Sequence, residues 1–125
     1  MEKSIANNLA ILRNAQNSHK AEAVLYNSKI LYEIVKILRL EGYIRGFSLK
    51  SSSITVFLKY LNNKSPLNSI FLISKPSKRV FYTYKDLIKK VSHRGIFVLS
   101  TSKGILSSND AIKKHLGGEV LFYIN

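Results

Sequence analysis

Ser100, Thr101, Ser102, Lys103 and Gly104 follow one another without a break, directly after the apolar run Gly95 to Leu99. Small hydroxyls, a cation and an unhindered backbone N–H are the groups that let a protein lie flat against phosphate and ribose. Transfer or hydrolytic chemistry would need a general base or acid beside the hydroxyls. Ser100-x-x-Lys103 has the spacing of an acylating serine, but such a serine opens a buried helix and has partner motifs elsewhere. Lys103-Gly104 lacks the glycine-bearing segment upstream of a phosphate-binding loop. An ordinary surface turn is the bland reading of the same residues.

A second cluster is Ser74-Lys75-Pro76-Ser77-Lys78-Arg79-Val80-Phe81-Tyr82. Its cations flank a rigid proline and precede two aromatics, which suits a loop held along a phosphate backbone. Arg79 is a forked donor, whereas Lys75 and Lys78 are point charges. The competing reading is a solvated loop, and strand alternation sends one of Phe81 and Tyr82 to the core. The third cluster is Gly117-Gly118-Glu119. Glycines permit close backbone approach, and the carboxylate can accept from a base amine or a ribose hydroxyl. A helix C-cap plus an ion pair from Glu119 to Lys113 or Lys114 explains the same residues. His19, His93 and His115 have no metal-ligand spacing and are expected at the surface, and no nucleophile–base–acid set can be assembled. No catalytic residue, metal or cofactor is assigned.

The elements that must position these clusters read as α+β. Ser4 can cap a helix with Ile5, Leu9 and Leu12 on one face, running to about Asn17. Ala21 to Tyr26 fits a strand. Ser28 caps a second helix whose stripe is Leu31, Ile34, Val35 and Leu38, with Gly42 at its stop. Tyr43 to Leu49 and Ser53 to Leu61 read as strands around a Ser51-Ser52 turn. Asn62 to Pro66 is the best linker, since Pro66 cannot donate to a ladder. Strands are then expected at Ser69 to Ser74, Val80 to Tyr84 and Ile96 to Thr101, with a small helix over Asp86 to Val91. Ser107-Ser108-Asn109-Asp110 has capping-box form, Gly117-Gly118 ends that helix, and Glu119 to Ile124 closes the chain as a strand. Two small lobes result: residues 1–66, an N-terminal helix and strand lobe, and 67–125, mainly β with a short helix.

Composition narrows the partner. The 125 residues carry 20 Lys+Arg against 7 Asp+Glu, a formal charge of +13, which favours a polyanion. Anionic lipid is a rival, but no helix joins a basic face to a strongly apolar one, and no apolar run nears the roughly 20 residues of a membrane span. Cysteine is absent, so disulfides and thiolate metal sites are excluded. Met1 to Asn7 has neither a signal core nor an Arg-rich transit segment, giving the expectation that the chain works where it is translated. Abundant Lys, Ile and Asn fit an A+T-rich genome.

Together the clusters resemble the S-eight family of small-subunit ribosomal proteins in its bacterial and organellar form. Ile5-Ala6-Asn7-Asn8-Leu9 with Leu12-Arg13-Asn14-Ala15 is similar to the family's opening helix. Ser28-Lys29 and Leu40-Glu41-Gly42-Tyr43-Ile44 resemble its second helix and the next strand. Ile73-Ser74-Lys75-Pro76, Arg79-Val80, Gly95-Ile96, Leu99 to Gly104, Gly117 to Leu121 and Tyr123-Ile124 follow in family order. The resemblance implies a structural, non-enzymatic rRNA-binding protein that contacts the central domain of small-subunit rRNA early in platform assembly. It implies a C-terminal contact made by Ser100, Thr101, Ser102, Lys103 and Gly104. Help comes from Ser74, Lys75, Pro76, Lys78, Arg79 and Phe81 and from Gly117, Gly118 and Glu119. Arg13, Asn14 and Lys29 of the N-terminal lobe add phosphate contacts, and the S-five ribosomal protein is an implied neighbour. Neither a membrane nor a small-molecule substrate is implied. The chain departs from the family at Ser77, where many relatives have glycine, at Phe81, where they have tyrosine, and at Asn7, where they often have an acid. Without the resemblance, charge alone implies a generic RNA-binding module. Composition and the lack of a transit segment point to a ribosome in the mitochondrion and an organelle-encoded gene, with a bacterial cytoplasm or a plastid as the alternative.

Overall fold

Helix-stop and cap signals set the frame of the computed structural model, which describes residues 3–62, 64, 69–91 and 95–125. The chain folds as α+β in two compact units, one reaching to Ser69 and the other covering Ile70–Asn125. The linker position expected at Pro66 lies outside the described residues.

In the first unit, α1 (Lys3–Asn17) buries Ile5, Leu9, Leu12 and Ala15. It begins one residue before Ser4, so that serine belongs to the first turn rather than to the cap. Its end is closed by His19 at φ +54, with the Lys20 N–H bonded to the Ala15 carbonyl at 3.0 Å. Strand β1 (Glu22–Tyr26) follows. Asn8, 1% exposed, ties α1 to it: its Oδ1 accepts from the Tyr26 N–H at 3.0 Å. Helix α2 (Lys29–Leu40) is capped by Ser28, whose Oγ accepts from the Leu31 N–H at 3.1 Å. Its expected stripe is buried, and Gly42 at φ +82 stops it, because only glycine takes that conformation freely.

Strands β2 (Ile44–Leu49) and β3 (Ser53–Leu58) complete a three-stranded antiparallel sheet in the order β1-β3-β2. β3 ends three residues before the expected Leu61. Leu61 instead exchanges backbone bonds of 2.7 and 2.9 Å with Lys64 around a turn in which Asn62 has φ +54.

In the second unit the elements are β4 (Ile70–Leu72), β5 (Phe81–Tyr82), α3 (Tyr84–Lys90), β6 (Ile96–Thr101), β7 (Gly104–Ser107), α4 (Ser108–Lys113) and β8 (Gly118–Ile124). β8 pairs with β6 on one side and with both β4 and β5 on the other, and β7 pairs with β6. Leu87 of α3 and Ala111 of α4 pack with Phe97, Leu99 and Val120 in one apolar cluster.

Both expected short helices are present, α3 and α4, and two details change. Tyr84 is helical because Thr83 caps α3 in a reciprocal box with Asp86, which ends β5 at Tyr82. α4 is closed by His115 at φ +55, not by the glycines; the Leu116 N–H then reaches the Ala111 carbonyl at 2.8 Å.

Candidate nucleic-acid interface

The hydroxyl run is a β-hairpin. Thr101 pairs with Gly104 across β6 and β7, leaving Ser102 and Lys103 exposed at the tip. The Thr101 hydroxyl donates to the Gly104 carbonyl at 2.8 Å and accepts from the Lys103 N–H at 3.1 Å. Its work is to close the turn. Gly104 sits at φ +101, where a side chain would be strained, so the backbone at the tip is bare.

The basic loop is held from below. Ser74 is fully buried, its Oγ accepting from the Val80 N–H at 3.0 Å and donating to the Val80 carbonyl at 3.3 Å. The side chain clamps the loop from within and is not exposed on its surface. Above the clamp, Lys75 and Lys78 exchange backbone bonds of 2.9 and 3.0 Å, so Pro76 and Ser77 form a tight tip. Proline lacks an N–H, and no ladder bond is asked of it there. Ser77 sits in this tip without strain, since its φ is not positive. Lys75, Pro76, Lys78 and Arg79 are all exposed.

Register brings the clusters together. Phe81 pairs with Glu119, Glu119 with Ser100, and Ser100 with Ile105. Directly paired residues share a face of an antiparallel sheet. Four strands therefore present Phe81, Glu119, Ser100 and Ile105 in one row, about 14 Å long at the usual strand spacing. Phe81 is 66% exposed. Tyr82 is the inward aromatic of the pair, packing edge-on against Phe97 with ring centroids 5.7 Å apart. Arg79 closes the row through an ion pair, Nη1 to Glu119 Oε1 at 3.5 Å; its side chain is 58% exposed and that of Glu119 13%. Glu119 thus orients the guanidinium whose outer edge faces solvent.

Gly117 and Gly118 work inside the sheet. A Cβ on Gly118 would stand 2.1 Å from the Ser100 carbonyl oxygen, and one on Gly117 2.4 Å from that of Tyr82. Bare backbone at these positions brings β5, β8 and β6 close enough to form the row.

In the N-terminal unit, Arg13 and Asn14 lie on α1, with Asn14 exposed. Lys29 is exposed in the first turn of α2, which carries no acid. These residues are not members of the cross-strand row. Asn7 is exposed on α1. His19 and His115 are at the surface, the first tilted against Tyr60 at 5.4 Å and the second edge-on to Tyr84 at 4.9 Å; His93 lies outside the described residues.

Sequence reasoning missed Ile105 and the Arg79–Glu119 pair. The signal for the first was present: a two-residue Ser-Lys turn closed by glycine, with apolar residues on both sides, fits a hairpin. Nothing local signals the second, which depends on β5 and β8 being neighbours.

The model of a protein family described as Ribosomal protein S8 matches residues 3–125. A protein of Acanthamoeba castellanii named small ribosomal subunit protein uS8m is 36% identical over 124 residues, covering 97% of this chain and 98% of its own. Proteins named small ribosomal subunit protein uS8 are 43% identical in Ehrlichia canis, over 94% of this chain and 92% of theirs, and 35% identical in Buchnera aphidicola, over 100% and 98%.

Proposed function

The chain belongs to the ribosomal protein S8 family and is a constituent of the small ribosomal subunit; from that premise we propose that it is a primary rRNA-binding protein of the central domain, supporting platform assembly. Its role is structural rather than catalytic. The observation that carries this reading is the row Phe81–Glu119–Ser100–Ile105 with the bare hairpin tip beside it.

A-form RNA hides its major groove and offers a shallow minor groove lined with 2′-hydroxyls. A sheet face carrying a hydroxyl, an aromatic ring and an oriented guanidinium complements such a groove where a helix is irregular. Ser100 and Ser102 donate to phosphate or ribose and accept from 2′-hydroxyls. Gly104 admits close backbone approach, and Phe81 stacks on an unpaired base without the phenol bond of the family's tyrosine. Arg79, Lys75, Lys78 and Lys103 meet phosphates. Lysines give affinity, and the shape of the irregular helix gives most of the specificity. Arg13, Asn14 and Lys29 add phosphate contacts from the N-terminal lobe, and the S-five protein is the neighbour we assign. Residues 67–125 form the rRNA-binding lobe in this reading. We assign the ribosome to a mitochondrion, supported by the uS8m relative and by a usage of Lys, Ile and Asn that fits an A+T-rich genome; sequencing the rRNA of the purified particle tests this.

The deciding experiment is binding of the full chain to a central-domain rRNA fragment and to an unrelated duplex. Replacing Ser100 and Ser102 by Ala is expected to weaken binding to the fragment by about 1–3 kcal/mol, through partners left unpaired, and to leave the duplex unaffected. Equal affinity for both RNAs, with no effect of the substitutions, establishes a generic basic module instead.

A further inference from the structure

The helices of the second unit turn a set of cations away from the row just described. Successive residues of a strand point to opposite faces. Leu99 packs with Leu87 of α3 and Ala111 of α4, so both helices lie on the face opposite Ser100. Their outer surface carries Lys85, Lys89, Lys113 and Lys114, all exposed. The His115 ring meets the Tyr84 ring at 4.9 Å, which brings the end of α4 beside the start of α3. Lys85 follows Tyr84 in α3, and Lys113 and Lys114 precede His115 at the end of α4, so the ring contact puts these lysines on neighbouring stretches of chain, with Lys89 one turn further along α3, about 5.4 Å.

Helix electrostatics account for only part of this. Cations in a last turn favour a helix, which accommodates Lys89, Lys90 and Lys113. Lys85 lies in the first turn of α3, where the dipole opposes a cation, and its neighbours add repulsion. Lys90 is occupied over the Tyr82 ring at 5.3 Å. Asp86 is engaged with the Thr83 N–H at 3.0 Å. The Arg79–Glu119 ion pair uses none of these lysines. Asp86 also attracts Lys89 and Lys90, and Asp110 stands three and four residues before Lys113 and Lys114, so two carboxylates face five lysines on these helices and an outside anion across them offsets the surplus charge.

From this we infer that the α3–α4 surface is a second polyanion-binding face. It takes the phosphate backbone of an RNA segment distinct from the one on the Ser100 row, so that one lobe bridges two segments. The inference rests on the rRNA-binding reading for the chemistry of the partner and extends it to the opposite side of the sheet.

The test uses the full chain saturated with unlabelled central-domain rRNA fragment, with a short labelled RNA duplex of unrelated sequence as probe at low salt. Wild type is expected to bind the duplex in a ternary complex. K85Q/K89Q/K113Q/K114Q is expected to lose that binding by about tenfold or more, as contacts to phosphate are removed, and to keep its affinity for the fragment. Lysine-to-arginine changes at the four positions should retain both. If the glutamine variant still holds the duplex, or loses fragment affinity equally, the second face does not exist. The S100A/S102A protein separates the two readings: it should lose fragment affinity alone, and failure there counts against the front face only.

Discussion

At the scale of single residues, the positions that matter most for the interface are partly ones that never touch it. Gly118→Ala would drive a methyl into the Ser100 carbonyl oxygen, 2.1 Å from the new Cβ. Overpacking against backbone costs about 1–3 kcal/mol or more, and we expect the variant to unfold at lower urea. Gly46→Ala is the matched control: its Cβ meets nothing within 4 Å, and a change within about 1 kcal/mol of wild type is expected. Ser74→Ala leaves the Val80 N–H without its acceptor, whereas the Val80 carbonyl keeps the Val120 N–H at 2.9 Å. A loss of about 1–3 kcal/mol in stability, with weaker rRNA binding from a loosened basic loop, is expected in paired denaturation and binding assays. The motif around Ser74 was readable in the chain. Its inward direction was not, because burial depends on which strands meet above it.

Among the elements, α3 gives the sharpest test. The Asp86 carboxyl is held below its ordinary value of 3.8, first by the Thr83 backbone N–H, then by the Thr83 hydroxyl, with Lys89 and Lys90 adding to the effect. A lowered folded value means the contribution is complete above about pH 3.8 and is lost as pH falls through the lowered value. Asp86→Asn should remove that part of the acid dependence, seen as a smaller difference in helix signal between pH 5 and pH 2. Thr83→Ala should cost about 1 kcal/mol as a lost cap. Helices announced themselves through Ser28, the apolar stripes and Gly42. Short strands were legible as stretches but not in their bounds: β4 and β5 are only Ile70–Leu72 and Phe81–Tyr82 inside the expected Ser69 to Ser74 and Val80 to Tyr84, too few residues for a period, and β7 was not expected beyond its turn. The Gly117-Gly118 pair looked like a helix stop because close packing of strands leaves the same glycine trace in a sequence.

For the whole molecule, a charge of +13 makes salt the governing variable. Each phosphate contact adds about 0.9 to the slope of log affinity against log salt on a duplex. Replacing both Lys75 and Lys78 by Ala should lower the slope by about 2, measured as fragment binding across a salt series. Fold class and family were legible because blocks of residues kept their order along the chain. The cross-strand row was not, since it joins residues 81, 100, 105 and 119, and only tertiary pairing makes them neighbours.

β8 also imposes a timetable. It is the shared partner of β4, β5 and β6, and it follows all of them in the chain. While the protein is being made, the basic loop and the hairpin emerge first and have nothing to align them. In the rRNA-binding reading proposed above, a nascent chain attracts RNA through its charge before the row exists, and the row is completed only when the segment carrying Glu119 pairs with β5 and β6.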